Sequence, residues 1–220
     1  MALILNIDTA VDAASVCLAR DGKELTLEKN KKQKDHAAWL HLAIKHIFEK
    51  NELELKAVDA IAVTAGPGSY TGLRIGMATA KGICYALNKP LITLNTLKVM
   101  ANAAKNEKTD LLCPMIDARR MEVFTAIYSK DLTIIKEPAA IQVNEKSFDE
   151  VLATGSICFF GNGSSKFQII KKDPRAIFAD INSDASSMIA LSEEEFQQKD
   201  FADLAYAEPI YLKEFYTPAK

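Results

Sequence analysis

The chain has 220 residues, with 27 Lys and Arg against 29 Asp and Glu, a net charge of −2, 49% hydrophobic residues, 9 Gly and 7 Pro. This globular composition excludes collagen-like, disulfide-scaffold and largely disordered classes and leaves room for one large domain or two small ones. A slightly acidic chain has no general surplus of Lys and Arg to neutralise phosphates, so any RNA it serves is expected to be held through another subunit.

The first thirty residues alternate apolar runs with turns. Residues 3–7 read as a strand ending at Asp8, 14–19 as a second, and Asp21-Gly22 as a tight hairpin turn into 25–27. A loop bearing Lys29, Lys31, Lys32 and Lys34 follows, read either as a solvated loop or as a contact for nucleic-acid phosphate or a partner's acidic face. Residues 36–50 then read as a helix, 58–64 as a buried strand, 69–87 as a second helix, 91–94 as a strand and 95–105 as a third helix. Strands alternating with helices predict an α/β sheet. The polar stretch 106–109 is the expected boundary between a first lobe, 1–108, and a smaller, degenerate second lobe, 109–220, whose last segments are candidates for packing back on the first.

Beyond that break the opening order returns. Residues 111–116 run into Asp117, 122–128 alternate, Lys130-Asp131 turns into 132–135, and 144–152 is helix-forming, so Ile7-Asp8 is echoed by Ile116-Asp117. A strand at 157–160, the Gly161-Asn162-Gly163 turn and helical stretches over 184–191 and from Ser192 onward complete the chain, with Ser192 to Glu195 read as a capping box. Cys17, Cys84, Cys113 and Cys158 sit in separate apolar runs without C-x-x-C spacing, which predicts buried free thiols. The N-terminal residues show no basic region followed by an apolar stretch and a small-residue cleavage site, so the expected compartment is the cytoplasm, with no membrane span.

The segment from Gly66 to Gly76, reading GPGSYTGLRIG, leaves a strand and enters a helix. Glycines there could let backbone N–H groups and the helix N-terminus cradle an anion. Yet no Lys follows Gly72, and the spacing of Gly66, Gly68 and Gly72 misses G-x-G-x-x-G by one residue. The other reading is a tight strand-to-helix turn in which Pro67 fixes φ, Ser69 caps the helix and the glycines permit close packing. Asp8 and Asp117 end equivalent strands. They could face one cleft and hold Mg²⁺ with a nucleotide, or each could cap its own turn. The candidate nucleotide or anion cleft therefore comprises Asp8, Thr9, Gly66, Gly68, Ser69 and Asp117.

Projected at about 100° per residue, the first helix puts Leu40, Ile44, Ile47 and Phe48 on one face, while Trp39, Leu42, Ala43 and His46 extend the apolar arc sideways. The second carries a small-residue ridge, Gly72, Gly76 and Ala80, surrounded by Leu73, Met77, Ile83 and Tyr85. Such helices are either fully buried within the chain or used at a subunit interface. His36, His41 and His46 do not form a metal pair, because a five-residue step turns successive side chains by about 140°.

The glycine segment, with Leu5-Asn-Ile-Asp-Thr9, Ile116-Asp-Ala-Arg119 and Glu208-Pro-Ile-Tyr-Leu212, resembles the bacterial TsaB (YeaZ) family across almost the whole chain. The resemblance implies an α/β fold of two actin-like, sugar-kinase and Hsp70-like (RNase H-like) lobes, each a mixed sheet with flanking helices. It implies a glycoprotease-like paralogue of TsaD that acts with TsaD and the ATPase TsaE to place threonylcarbamoyl on the adenosine beside the anticodon of tRNA. TsaD-like proteins hold a metal through H-x-x-x-H, and at the matching places this chain has Thr96 and Met100, poor replacements for imidazoles. No Gly follows Asp8 or Asp117 closely, where the superfamily's phosphate segments have one. The resemblance further implies that the first two helices meet a TsaD-like partner, or a second copy, through Trp39, Leu42, Ala43, Gly72, Leu73, Gly76, Met77, Ala80 and Lys81.

The reading is thus a non-catalytic scaffold with no cofactor in the isolated chain and no metal, with ATP or ADP and Mg²⁺ entering only at a shared interface. Its expected partners are a TsaD-like catalytic subunit, a TsaE-like ATPase, tRNA indirectly through the complex, and itself as a homodimer when alone. The alternatives are an enzyme acting on its own, either a phosphotransferase or ATPase using Asp8, Asp117 and the glycine loop or a glycoprotease-like hydrolase, and a homodimer that is functional in its own right. The tail around Phe215 to Pro218 is read as disordered or as docking on a partner.

Overall fold

The computed structural model describes residues 2–30 and 36–213. The expectations for Lys31, Lys32, Lys34 and the tail from Phe215 to Pro218 lie outside the described residues, as does the side chain of His36. The chain divides into two compact units, Met1–Ala103 with Asn182–Pro209 and Ala104–Ile181 with Ile210–Lys220.

The first unit is built on five strands, β1 (Leu3–Asp8), β2 (Ser15–Arg20), β3 (Lys23–Lys29), β4 (Ala60–Gly66) and β5 (Leu91–Asn95), in the order β3-β2-β1-β4-β5. β1 to β3 form an antiparallel meander, and β4 and β5 join in parallel through helical crossovers. Every residue of β1 is buried, because both faces of its sheet are covered. Leu3, Leu5 and Ile7 enter a core with Leu40, Ile44, Ile47 and Phe48 of helix α1 (His36–Lys50) and Met77 and Ala80 of α2 (Tyr70–Leu87). Alternation sends Ile4, Asn6 and Asp8 to the opposite face. A further helix, α3 (Thr96–Ala104), follows β5 directly.

The second unit repeats this plan with β6 (Leu111–Asp117), β7 (Glu122–Ser129), β8 (Ile134–Gln142), helix α4 (Asp149–Leu152), β9 (Ile157–Phe160), α5 (Ser164–Ile170) and β10 (Ala176–Phe178). Its order, β10-β9-β6-β7-β8, is that of the first sheet element for element. Phe148, Phe159 and Phe167 form the centre of its core in edge-to-face contacts, with centroids 4.9 to 5.4 Å apart. The helix expected over 144–152 shrinks to one turn. The side chain of Asn144 accepts the Lys146 N–H at 2.9 Å and the Asn144 N–H donates to Ser147 Oγ at 2.9 Å, which ties its first half into a loop. The strand expected over 132–135 starts later, after Leu132 with φ 66°, and runs on to Gln142. Neither α5 nor β10 was anticipated.

Residues Asn182–Pro209, among the last segments read as candidates for packing back, fall in the first unit. They supply the cover that the far face of the first sheet requires. A 3-10 turn, Ala185–Met188, meets β1, β2 and β3, and helix α6 (Ile189–Gln198) meets β1 and β5. The Ala185 N–H donates to Ser15 Oγ at 2.8 Å, and Lys29 pairs with Asp184 at 2.5 Å. Lys81 of α2 donates to the carbonyls of Ala205 and Ala207 at 3.3 and 2.8 Å. The expected capping box at Ser192 is corrected here. Ser192 lies inside α6, fully buried, with its hydroxyl donating to the Ile189 carbonyl, and the capping box is Asp184 with Ser187.

Candidate functional site

The candidate site begins where β1 ends. Asp8 Oδ1 accepts the Ala10 N–H at 3.0 Å and the Thr64 hydroxyl at 2.9 Å, which turns the chain toward β2. The side chain is buried, and its Oδ2 has no hydrogen-bond partner among the described residues. Burial raises the Asp8 carboxyl above its ordinary value, against the pull of those two hydrogen bonds.

Helix α2 closes over this turn. The Ser69 N–H donates to the Ala10 carbonyl at 2.7 Å, and the Thr9 hydroxyl donates to the Gly72 carbonyl at 2.7 Å. A Cβ on Gly68 would stand 2.2 Å from the Ala10 oxygen, one on Gly72 2.0 Å from the Thr9 oxygen, and one on Gly76 2.3 Å from Thr9 Oγ1. The glycines are therefore a packing surface that admits the turn. Ser69 caps the helix by accepting the Gly72 N–H at 3.2 Å. The N–H groups of Ser69 and Gly72 are thus engaged within the chain and Asp8 is enclosed, and the approaches at Gly68, Gly72 and Gly76 are those of a closely packed strand-to-helix turn.

Asp117, at the end of β6, makes the same local turn in the second unit. Its Oδ1 accepts the Arg119 N–H at 2.6 Å, as Asp8 accepts that of Ala10. It is exposed and pairs with Lys166 at 2.6 Å. Burial alone would raise its carboxyl, but the Lys166 bond, the Arg119 N–H and the charges of both residues hold it below its ordinary value. The loop after β9 closes on it as the glycine loop closes on Asp8. The Gly163 N–H donates to the Met115 carbonyl, and a Cβ there would lie 2.9 Å from the Ile116 carbonyl carbon.

The expected partner-binding residues divide by face. Ala43, Gly72, Leu73, Gly76, Met77 and Ala80 are buried within this chain, Trp39 and Lys81 are half-buried, and Leu42 stands 68% exposed. The outward face of α2 carries a second small-residue ridge, Ala78, Gly82 and Ala86, beside Tyr85 at 83% exposure. A Cβ on Gly82 would meet nothing within 4 Å. The i, i+4, i+8 spacing of this ridge was visible in the sequence. The ridge that begins six residues earlier, at Gly72, is the more prominent in the sequence because it starts in the glycine loop.

Thr96 and Met100 lie on one face of α3, both buried. His41 is exposed, and His46 Nδ1 lies 3.0 Å from Glu28. Among the described residues no group of three or more His, Cys, Asp or Glu comes together, and no helix is long and apolar enough to cross a membrane.

The family described as TsaD, tRNA N6-adenosine threonylcarbamoyltransferase, matches residues 29–214. The chain is similar to the tRNA threonylcarbamoyladenosine biosynthesis protein TsaB of Escherichia coli, 30% identical over 96% of this chain and 94% of that one. It is likewise similar to the TsaB of Buchnera aphidicola subsp. Baizongia pistaciae, 32% identical over 77% of this chain and 80% of that one. Its fold is similar to the solved structure of YeaZ from Pseudomonas aeruginosa, with a TM-score of 0.83 and 25% identity over 96% of this chain and 100% of that one.

Proposed function

The chain belongs to the TsaB family of tRNA threonylcarbamoyladenosine biosynthesis proteins, and on that premise we propose that it serves this pathway as a non-catalytic scaffold pairing with a TsaD-like catalytic subunit. The observation that carries the proposal is the outward ridge of α2. An exposed glycine inside a helix costs about 1 kcal/mol against alanine, and nothing in the first unit requires one at Gly82. With Ala78 and Ala86 it makes a smooth strip on which another helix could lie close, flanked by Tyr85, and α1 beside α2 presents Leu42. The docking face is therefore the outer side of the same helix pair, with Leu42 kept and the buried ridge of Gly72, Gly76 and Ala80 assigned to intrachain packing.

The engaged N–H groups around Asp8 favour a scaffold over an enzyme acting alone, and any ATP or ADP with Mg²⁺ enters at an interface completed by the partner. The TsaE-like ATPase and tRNA join through that complex. The cytoplasm is the compartment this role implies, and the four free, buried cysteines agree with it.

The test is to mix the purified chain with the TsaD-like protein of its own cell and measure mass by light scattering behind a sizing column, each protein also being run alone. A heterodimer is expected, lost on Gly82→Glu with the chain still folded. A chain that stays monomeric or homodimeric in the mixture, or that hydrolyses ATP by itself, overturns the reading.

A further inference from the structure

The turn joining β6 to β7 holds three consecutive residues at positive φ, Arg119 at 67°, Arg120 at 47° and Met121 at 58°. This region disfavours any residue with a Cβ, and glycine is its usual occupant. The fold itself does not demand the conformation. The equivalent turn of the first unit, between β1 and β2, contains no positive φ although the strands pair in the same order. In the second unit the turn is instead braced. The Arg119 N–H donates to Asp117, the Ala118 N–H to the Glu122 carbonyl at 3.0 Å, the Glu122 N–H to the Arg119 carbonyl at 2.8 Å and the Val143 N–H to the Met121 carbonyl at 2.9 Å. Lys166 reaches both Asp117 and the Glu122 carbonyl, and Lys213 pairs with the Glu122 carboxylate.

The bracing holds Arg119, Arg120 and Met121 on the surface. Beside the turn Lys166 is paired with Asp117 and Lys213 with Glu122, so the cations it presents at the surface are Arg119 and Arg120. A guanidinium group suits phosphate oxygens, which it can bind in a bidentate fork, and an exposed thioether suits the apolar edge of a sugar or base. We propose that this left-handed Arg119-Arg120-Met121 turn is a contact for the ribose-phosphate backbone of tRNA, a direct contact beyond the indirect one expected of the scaffold. The inference rests on the scaffold reading above, because a chain of this charge holds RNA only within a complex.

The test measures binding of fluorescently labelled tRNA to the complex of this chain with its TsaD-like partner, by anisotropy, between about 50 and about 200 mM salt. Arg119→Gln/Arg120→Gln is expected to weaken binding roughly tenfold at the low-salt end and to reduce the slope of log K against log salt by about 1.5, while Arg119→Lys/Arg120→Lys keeps the slope. Unchanged affinity and slope in the Gln variant overturn the inference. So does loss of the heterodimer in that variant with its melting curve intact, which would make the turn a protein contact. Failure of the unaltered chain to form the heterodimer removes the scaffold reading first and this inference with it.

Discussion

In the first unit the turn after β1 is sealed beneath an 18-residue helix, whereas in the second the turn after β6 stands at the surface beside a seven-residue one. The strand order is the same, and both turns start with a carboxylate accepting the N–H two residues on. Helix length decides the rest. α2 is long enough to carry a whole inner ridge, so Asp8 is enclosed without a cation and its carboxyl is raised. α5 offers only one buried residue, Phe167, and Asp117 stays in solvent with Lys166 and a lowered carboxyl. One duplicated plan has thus become a sealed helical support in one copy and a surface display in the other.

The most damaging way to break this comparison is at the seals themselves. Gly72→Val should cost more than about 4 kcal/mol and unfold the first unit, because its Cβ would stand 2.0 Å from a backbone oxygen. Gly163→Val, at 2.9 Å or more from its neighbours, should cost about 1–3 kcal/mol. Urea unfolding followed by circular dichroism checks both, and equal costs would mean that the two seals are equally tight. Next in size, Leu73→Ala on the inner face of α2 should cost about 2–5 kcal/mol. Tyr85→Ala on the outer face should stay within about 0.5 kcal/mol yet weaken partner binding.

Gly82→Ala should raise stability by about 1 kcal/mol, since the helix gains propensity and the methyl meets nothing. A loss of stability there would show that the outer ridge is not free within the chain.

The pH response sharpens the contrast between the two carboxyls. Asp8 binds its proton more tightly folded than unfolded, so its contribution to stability is complete below pH 3.8 and is lost as pH rises through its raised folded value. Asp117 binds its proton less tightly when folded, so its contribution is present above pH 3.8 and is lost as pH falls through its lowered value. Asp8→Asn should therefore flatten the fall of the urea midpoint above pH 4. Asp117→Asn should flatten the acid side, by a small amount because the pair with Lys166 is solvent-screened. Identical pH profiles for Asp8→Asn and the unaltered chain would show that the buried oxygen is not titrating.

Much of the fold was legible in the sequence because it is written in local patterns. The strand-Asp-strand-turn order recurs near Asp8 and Asp117, Asp21-Gly22 makes its turn, and the 3.6-residue period of α1 and α2 names their core faces. What failed locally was decided by hydrogen bonds across a few residues, as at Asn144 and Ser147, or by length, since seven residues of α5 carry too little periodicity to stand out. Gly72, Gly76 and Ala80 look like a ridge awaiting a partner, and only the tertiary structure shows Thr9, in the turn after β1, already against Gly72 and Gly76.

The sequence by itself therefore determined the family, the α/β class, the repeated strand order and the core faces of α1 and α2, because motifs and periodicity are properties of neighbouring residues. The tertiary structure decided which of the last segments join the first unit, which helix face is outward, that Asp8 is sealed while Asp117 is exposed, and that Arg119 to Met121 turn left-handed. Each of these depends on which surfaces a distant segment covers, and burial is a property of the folded whole.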